Sequence, residues 1–355
     1  MVSPRITSLP LLFLISATCF ASMVQSTRTR TMNNTVSAIY VFGDSTVDPG
    51  NNNYIKALFK ANWYPYGKDF INHTATGRFT NGKLTTDFIA SYVGIKEIIP
   101  AYLDPKTSLE DMMSGVAFAS AASGYDRVTA AMSNVIHVPK QLDYFKEMKA
   151  KLVKSIGKKR TQKHLRKAVF IISAGTNDFV LNYFNGPPLR RHSMSVSDYQ
   201  NLVLDQAKSF YQGLWDEGAR RIAVVGLPPM GCVPIVITIR SSKTIGCNED
   251  YNAVAQAYNN KLQSALNTMQ NKLARAGAKI VYIDLYNALY DIIRGYTKCG
   301  YDVADIGCCG TGAVESSFMC NRASPVCTNA SKYVFFDSMH PSEKACHDLF
   351  KSFIP

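Results

Sequence analysis

Four short apolar runs, each followed by loop-forming residues, constrain the fold of this chain most strongly. They are Ala38–Phe42, Ala168–Ser173, Arg221–Val225 and Lys279–Ile283, and a shorter fifth run is Val116–Ala119. Apolar runs of this length, bounded by turn signals, are typical of buried strands. The sequences GDS, GTND, GLPPMG and DLY follow the four longer runs. We therefore expect these runs to be strands and the polar residues after them to lie at strand ends.

Helical patterns occupy the stretches between these runs. Apolar residues recur every three to four positions from Tyr199 to Leu214 and from Val254 to Leu273, which is the period of an amphipathic helix. Alternating strands and helices predict a parallel sheet with both faces covered by helices. No repeat or low-complexity linker divides the chain, so we expect residues 36–355 to form a single domain.

The first 27 residues resemble a secretory signal peptide. Arg5 precedes the uncharged segment Leu9–Ala21, which ends in small residues. This segment is shorter than the roughly 20 residues that span a bilayer. A second uncharged stretch, residues 222–239, is interrupted by three prolines and two glycines. We therefore expect residues 1–27 to be removed on secretion and no transmembrane segment to be present; a short buried N-terminal helix is the alternative.

The cysteines agree with an extracellular location. Eight of the nine lie in the C-terminal half: Cys232, Cys247, Cys299, Cys308, Cys309, Cys320, Cys327 and Cys346. An even number in a secreted chain favours disulfides. Cys232 and Cys247 could close one loop, and residues 299–327 resemble a disulfide-stapled insertion with few helices. A zinc cluster is the rival interpretation, but the Cys and His spacing matches no known site.

Three N-x-S/T sequons, at Asn33, Asn72 and Asn329, are compatible with glycosylation.

The formal net charge of +13 favours contact with polyanions. No zinc-finger, RRM or bZIP pattern accompanies this charge, so nucleic acid is not an expected partner. Residues 146–167 hold ten Lys and Arg and one acidic residue. They form either a solvated helical face or a contact surface for acidic wall polysaccharide or phospholipid headgroups.

The polar residues at the predicted strand ends include the types that acyl transfer requires. Ser45 follows the first strand and can be a nucleophile, His340 can be its base, and Asp337 can orient the imidazole. Asn177 follows the second strand, and its side-chain amide can donate to an oxyanion. Gly124 can offer a backbone N–H unhindered by a Cβ atom. Ligands bind at the carboxyl ends of parallel strands, so we expect these residues to meet there.

Several other catalytic motifs are absent from the sequence. The elbow G-x-S-x-G of α/β-hydrolases does not occur. Neither H-E-x-x-H nor the phosphate-binding loop G-x-x-x-x-G-K-[ST] occurs. We therefore expect no metal and no organic cofactor. Pro341 suits the first position of a helix over residues 342–353, which would place His340 at the start of that helix.

The segment VFGDSTVDPGNNN (Val41–Asn53) resembles the first motif block of the plant GDSL-type esterase/lipases, in the SGNH hydrolase superfamily. The resemblance continues through ATGRFTNGKLTTDFIA, GVAFASAASGYD, ISAGTNDF, GLPPMGCVP and FFDSMHP. It covers nearly the whole mature chain. It implies a three-layer α/β/α sandwich of the flavodoxin-like type, with a five-stranded parallel sheet.

By position, the resemblance makes Ser45 the nucleophile and first oxyanion donor. It makes Asn177 the oxyanion asparagine, and it makes Asp337 and His340 the closing catalytic pair. Gly124 lies in the block that supplies the oxyanion glycine.

The chain departs from the family pattern at two positions of that block. The family usually has Gly where this chain has Ala122, and often Asn where it has Ala117. If the oxyanion glycine corresponds to position 122, the alanine N–H there can still donate.

The function implied by the resemblance is that of a secreted serine esterase/lipase, located in the cell wall or apoplast and acting on lipid or wall acyl esters. One alternative is an acyltransferase that passes the acyl group to cuticle or wall polymers. Another is a non-catalytic wall-binding protein, against which the complete set of catalytic residue types argues. The loops Asn51–Phe70 and Phe179–Ser197 are expected to shape the substrate pocket. Their aromatic residues either line an acyl groove or pack in the interior.

Overall fold

A parallel sheet lies at the centre of the computed structural model, which describes residues 36–240 and 246–354. Its strands are β1 (Ile39–Gly43), β2 (Val169–Ser173), β3 (Arg221–Val225) and β4 (Lys279–Ile283), in the order β1-β2-β3-β4. Two further strands, β5 (Val303–Gly307) and β6 (Tyr333–Phe335), form a separate parallel pair. The four predicted strands are confirmed, each within one residue at either end.

The fifth apolar run lies beside β1 without forming a regular strand. The Val41 N–H donates to the Val116 carbonyl oxygen (3.1 Å), and the Phe118 N–H donates to the Val41 carbonyl oxygen (2.7 Å). Only isolated bridges result, because the chain leaves the sheet at Ala121, whose N–H donates to Asp48. The sheet therefore has four strands rather than five. The position of the run still gives the flavodoxin-like strand order.

Helices surround these strands in the described part of the chain. They are α1 (Thr85–Tyr92), α2 (Leu109–Ser114), α3 (Arg127–Ala131), α4 (Val138–Ile156), α5 (Lys158–Lys167), α6 (Leu189–Ser193), α7 (Val196–Asp216), α8 (Pro234–Arg240), α9 (Glu249–Leu273), α10 (Leu285–Arg294) and α11 (Glu343–Phe353). A π-helical segment covers Asp178–Phe184. The two helices predicted from apolar periodicity, over residues 199–214 and 254–273, are found as α7 and α9.

Helix α11 begins one position later than expected, because the Ser342 side chain caps it by accepting a hydrogen bond from the Ala345 N–H. Pro341 therefore precedes the cap instead of opening the helix.

The two faces of the sheet are covered to different extents, although helices lie on both and give the expected three layers. On one face, Tyr40, Phe42 and Phe170 are completely buried against aromatic residues of α4 and α7. On the other face α1, α10 and α11 are present, yet Ala223 and Val225 remain only half-buried. Helices therefore cover both faces, as predicted, but they cover the second face only in part.

Three disulfides are present in the described residues: Cys232–Cys247, Cys308–Cys327 and Cys309–Cys320. The first closes the expected loop, and the other two staple the segment between β5 and β6. Cys299 is exposed and unpaired, so the stapled segment begins at Cys308 rather than at Cys299. Cys346 in α11 is a buried thiol, and burial raises its pKa to about 12.

Every helix within residues 36–240 and 246–354 is too short or too polar to be a membrane span. In the same residues, no cluster of three or more His, Cys, Asp or Glu side chains is arranged to hold a metal ion.

Candidate active site

Ser45 lies on a tight turn directly after β1. Gly43, the last residue of β1, has a φ of +138°, and a Cβ atom there would collide with the carbonyl oxygen of Ser173 on β2. Glycine is therefore required where the chain turns out of the sheet. The Asp44 carboxylate accepts the Thr46 backbone N–H (3.0 Å) and the Thr46 hydroxyl (2.8 Å). These bonds fix the turn that carries Ser45.

Ser45, His340 and Asp337 form one continuous hydrogen-bonded chain. Ser45 Oγ lies 2.8 Å from His340 Nε2. His340 Nδ1 lies 2.8 Å from each carboxylate oxygen of Asp337. The short segment after β6 places His340 beside the turn after β1, although 295 positions separate the two residues. The structure thus brings together the three residues predicted to be catalytic, in an arrangement that can move a proton from the serine to the imidazole.

The Asp337 carboxylate is buried and accepts several further hydrogen bonds. Its Oδ1 accepts the backbone N–H groups of Met339 and His340, and its Oδ2 accepts the hydroxyls of Tyr66 (2.6 Å) and Ser316 (2.9 Å). Burial alone would raise the pKa of Asp337. The charge of His340 and the hydrogen bonds outweigh burial and hold the pKa below its ordinary value. Asp337 is therefore kept ionised where it can orient the imidazole.

Sequence reasoning missed Tyr66 and Ser316. Tyr66 lies 271 positions from Asp337, and its hydroxyl also accepts the Ser317 backbone N–H (2.7 Å). Ser316 belongs to the segment stapled by the disulfides between β5 and β6. No local motif marks either residue, because their partner lies in a distant part of the sequence.

Among the described residues, several backbone N–H groups near Ser45 and His340 have no hydrogen-bond acceptor, and three of them lie on the turn after β1 and on the loop after residue 119. These three belong to Ser45, Ala122 and Gly124, whereas the N–H groups of Ala121 and Ser123 are bonded to Asp48 and the Ser120 carbonyl oxygen. The Asn177 side-chain amide donates to the Ser123 carbonyl oxygen (2.9 Å). This bond fixes the orientation of the amide next to the same loop. Donors of these kinds can stabilise an oxyanion.

Asp178 holds the loop that carries Gly124. Its carboxylate accepts the backbone N–H groups of Tyr125 and Asp126 and the Thr129 hydroxyl (2.6 Å). Burial raises the pKa of Asp178 to about 7, although these hydrogen bonds oppose the shift. A Cβ atom on Gly124 would collide with this carboxylate. Glycine at position 124 is therefore required for the close approach of the loop to Asp178.

Ala122 is one of the residues that depart from the family pattern, and it adopts a left-handed backbone with a φ of 62°. This conformation is unfavourable for a residue with a Cβ atom and open to glycine. A glycine, the residue that the resemblance leads us to expect at position 122, would adopt this backbone without strain. Nothing in the structure explains the alanine at position 117.

The first motif block also supports the loop from the opposite side. Asp48 accepts the backbone N–H groups of Gly50, Asn51 and Ala121. The Asn51 amide donates to the carbonyl oxygens of Ala117 and Ala119 (2.9 and 2.8 Å). Much of the polar sequence after Ser45 therefore positions the loop that carries Ala122 and Gly124.

The predicted glycosylation sites Asn72 and Asn329 are both exposed. Asn33 and the predicted signal peptide, residues 1–27, lie outside the described residues.

Comparison with known proteins places this geometry in a family. Residues 39–353 match the family model described as GDSL-like Lipase/Acylhydrolase. A GDSL esterase/lipase of Arabidopsis thaliana is 54% identical over 323 residues, which cover 90% of this chain and 86% of the relative. The GDSL esterase/lipase APG of the same plant is 45% identical over 312 residues, 87% of this chain and 88% of that protein.

Among solved structures, the extracellular lipase of Streptomyces rimosus matches at 10% identity, with a TM-score of 0.34, over 90% of this chain and 100% of the lipase. The family model spans nearly all the described residues, from the first residue of β1 to the last residue of α11, and so includes Ser45, Asn177, Asp337 and His340. The chain therefore belongs to the GDSL-like lipase/acylhydrolase family.

Proposed function

We propose that this protein is a secreted serine esterase/lipase that hydrolyses carboxylic esters through an acyl-enzyme. The observation that carries the proposal is the hydrogen-bonded chain from Ser45 Oγ through His340 to the buried Asp337 carboxylate. The Arabidopsis relatives named GDSL esterase/lipase give independent support.

In the first half of the reaction, Ser45 Oγ attacks the ester carbonyl carbon while His340 Nε2 accepts the serine proton. The Asp337 carboxylate accepts a hydrogen bond from His340 Nδ1–H and thereby stabilises the imidazolium that forms. The tautomer in this assignment follows from the hydrogen-bond network. The tetrahedral oxyanion accepts hydrogen bonds from the Ser45 N–H, the Asn177 amide and the Gly124 N–H. Collapse of this intermediate breaks the bond to the alcohol, which leaves with the proton from His340.

In the second half, His340 accepts a proton from water, and the resulting hydroxide attacks the acyl-enzyme carbonyl. The same donors stabilise the second oxyanion. Its collapse releases the carboxylic acid and returns the proton to Ser45 Oγ. An alcohol in place of water would give a new ester, so the difference between hydrolase and acyltransferase lies in which acceptor reaches His340.

We further propose that residues 1–27 are a signal peptide and that residues 36–355 form a single hydrolase domain in the wall or apoplast. The three disulfides are compatible with an oxidising compartment. Asn72 and Asn329 are exposed and can be glycosylated, and Asn33 carries the third sequon. The basic residues of α4 and α5 lie mainly on the exposed side of both helices, where they could contact acidic polysaccharide or a membrane surface.

The decisive experiment compares the secreted protein with Ser45→Ala on p-nitrophenyl esters from acetate to palmitate. We expect Ser45→Ala to lower kcat by about 10⁴-fold or more, because no other group can form the acyl-enzyme. Ser155→Ala is the matched control, because Ser155 is an exposed serine of α4. Equal activity of Ser45→Ala and the wild type would refute the assignment of the nucleophile. Adding an alcohol to the same assay separates hydrolysis from acyl transfer.

A further inference from the structure

The half-covered face of the sheet is apolar, and its side chains form parallel rows. The strand register places Ile171, Ala223 and Val281 in one apolar row. The row before it holds Val169 together with Arg221 and Lys279, so this face becomes charged at the amino ends of β3 and β4. Ala223 is half-buried, and Val281 is 50% exposed. On the opposite face of the same strands, Ile222 and Val224 are each 1% exposed. The protein therefore leaves part of an apolar surface unfilled on this side.

A cavity of about 260 Å³ lies between this sheet face and α1, α10 and α11. An engineered cavity of about 150 Å³ is enough to bind benzene, so this volume can hold an aliphatic chain. We call it the apolar cavity. The apolar residues that line it are mainly Leu84, Ile89, Val169, Ile171, Ala223, Val225, Ile283, Leu285, Leu289, Leu349 and Phe353.

The polar end of the apolar cavity is the candidate active site. Ser45, Asn177 and His340 line it there, together with other residues that follow the carboxyl ends of β1 and β2. The remaining lining extends towards the amino ends of the strands. From Ser173 to Val169 are four residue steps of β2, or about 13 Å at roughly 3.3 Å per residue. An extended chain advances about 1.2 Å per bond, so this depth fits an acyl chain of about ten carbons.

We propose that the apolar cavity binds the acyl chain of the ester, so that the natural substrates carry medium or long acyl chains. The ester carbonyl lies at Ser45, and the chain runs along the sheet past Ala223 towards Val169 and Phe353. This inference rests on the proposed function. The cavity is polar at Ser45 and mainly apolar along the rest of its length. This distribution matches an ester that has a polar carbonyl group at one end of a long apolar acyl chain. The small side chain of Ala223 leaves the path open.

Ala223→Phe tests the proposal, because the ring would fill the cavity about two residue steps below the active site. Each methylene group buried there raises kcat/KM about fourfold. We expect Ala223→Phe to lower kcat/KM on p-nitrophenyl decanoate about 30-fold or more relative to kcat/KM on p-nitrophenyl acetate. Val281→Phe is the matched control: it lies in the same row of the sheet, is half exposed and is not part of the cavity lining. It should leave the chain-length profile unchanged.

Phe353→Ala is a second test that does not depend on the folding of Ala223→Phe, because it removes side-chain volume from the cavity lining instead of adding it. Phe353 lines the cavity at the last turn of α11, about 15 Å along the helix from its start beside His340. Its removal should raise activity on palmitate relative to decanoate.

The outcomes separate this inference from the proposed function. If Ser45→Ala retains activity on the acetate, the proposed function fails. If Ser45→Ala is inactive while Ala223→Phe and Phe353→Ala both keep the wild-type chain-length profile, the proposed function stands. The acyl-binding role of the cavity is then wrong, and something other than the substrate covers this face.

Discussion

At Asp337, a single buried carboxylate holds the His340 imidazole in place and also contributes to stability. Its folded-state pKa lies below the ordinary value, so the folded protein holds the ionised form more strongly than the unfolded chain does. The resulting stabilisation is fully present above the unfolded pKa of about 3.9 and is lost as the pH falls through the lower, folded pKa. Asp337→Asn removes the titrating group.

We therefore expect the difference in unfolding free energy between wild type and Asp337→Asn to be constant at neutral pH and to shrink below about pH 4. Urea unfolding at a series of pH values measures it. A difference that grows on acidification would contradict the direction of the shift. In the same variant kcat should fall by up to about 10⁴-fold, because the imidazole loses its orienting carboxylate.

Gly124 and Ala122 lie on the same loop, and substituting them has different expected effects: loss of activity at position 124 and gain of stability at position 122. Gly124→Ala places a methyl group against the Asp178 carboxylate, which displaces the loop and its N–H group. We expect kcat to fall by about 10²-fold or more, the effect of losing one oxyanion donor, with KM less affected. Steady-state kinetics on p-nitrophenyl esters test this. An unchanged kcat in a folded Gly124→Ala protein would remove Gly124 from the oxyanion hole.

Ala122→Gly should stabilise the protein. The left-handed conformation costs an alanine about 1–2 kcal/mol, whereas the extra freedom of glycine in the unfolded chain costs about 0.5–1 kcal/mol. The net gain is about 0.5–1 kcal/mol, visible as a higher Tm in thermal unfolding. A lower Tm would mean that the methyl group of Ala122 contributes packing that exceeds this strain.

At the scale of elements, the stapled segment between β5 and β6 supports the Asp337 carboxylate. The disulfide Cys309–Cys320 is completely buried, and the segment carries Ser316, which donates to Asp337. Replacing both cysteines by serine should lower the unfolding free energy by about 2–4 kcal/mol. It should also lower kcat in the protein that remains folded. Cys299→Ser is the control, because Cys299 is exposed and unpaired, and it should change neither quantity.

The four strands of the central sheet were predictable to within one residue, because each is a short apolar run bounded by turn signals. Helices α7 and α9 were predictable because their apolar periodicity is long, whereas β5 and β6 were not predicted. The incomplete cover of one sheet face was not predictable. Residues such as Val225 and Ile283 have the same apolar sequence character whether a helix or a cavity lies over them. The aromatic residues of the two predicted pocket loops are absent from the lining of the apolar cavity. Phe184, for example, packs on Tyr251.

For the whole molecule, the pairing of the cysteines predicts a definite number of free thiols. After removal of residues 1–27, alkylation of the unfolded, unreduced protein should modify two cysteines, Cys299 and Cys346. Alkylation of the native protein should modify Cys299 alone, because Cys346 is buried. Mass spectrometry counts the added groups. Complete protection in the unfolded state would require a fourth disulfide, and eight modified cysteines would mean that no disulfide forms.

The amino-acid sequence alone was enough to predict the alternation of strands and helices, the bounds of β1 to β4 and the candidates Ser45, Asn177, Asp337 and His340. These properties depend on local patterns of apolar residues and on short motifs at strand ends. The contacts of Tyr66 and Ser316 with Asp337, and the cavity that extends from Ser45 along the sheet, became known only from the three-dimensional packing. Contacts and cavities arise between segments that lie far apart in the sequence, and the packing of those segments is not encoded in any local pattern.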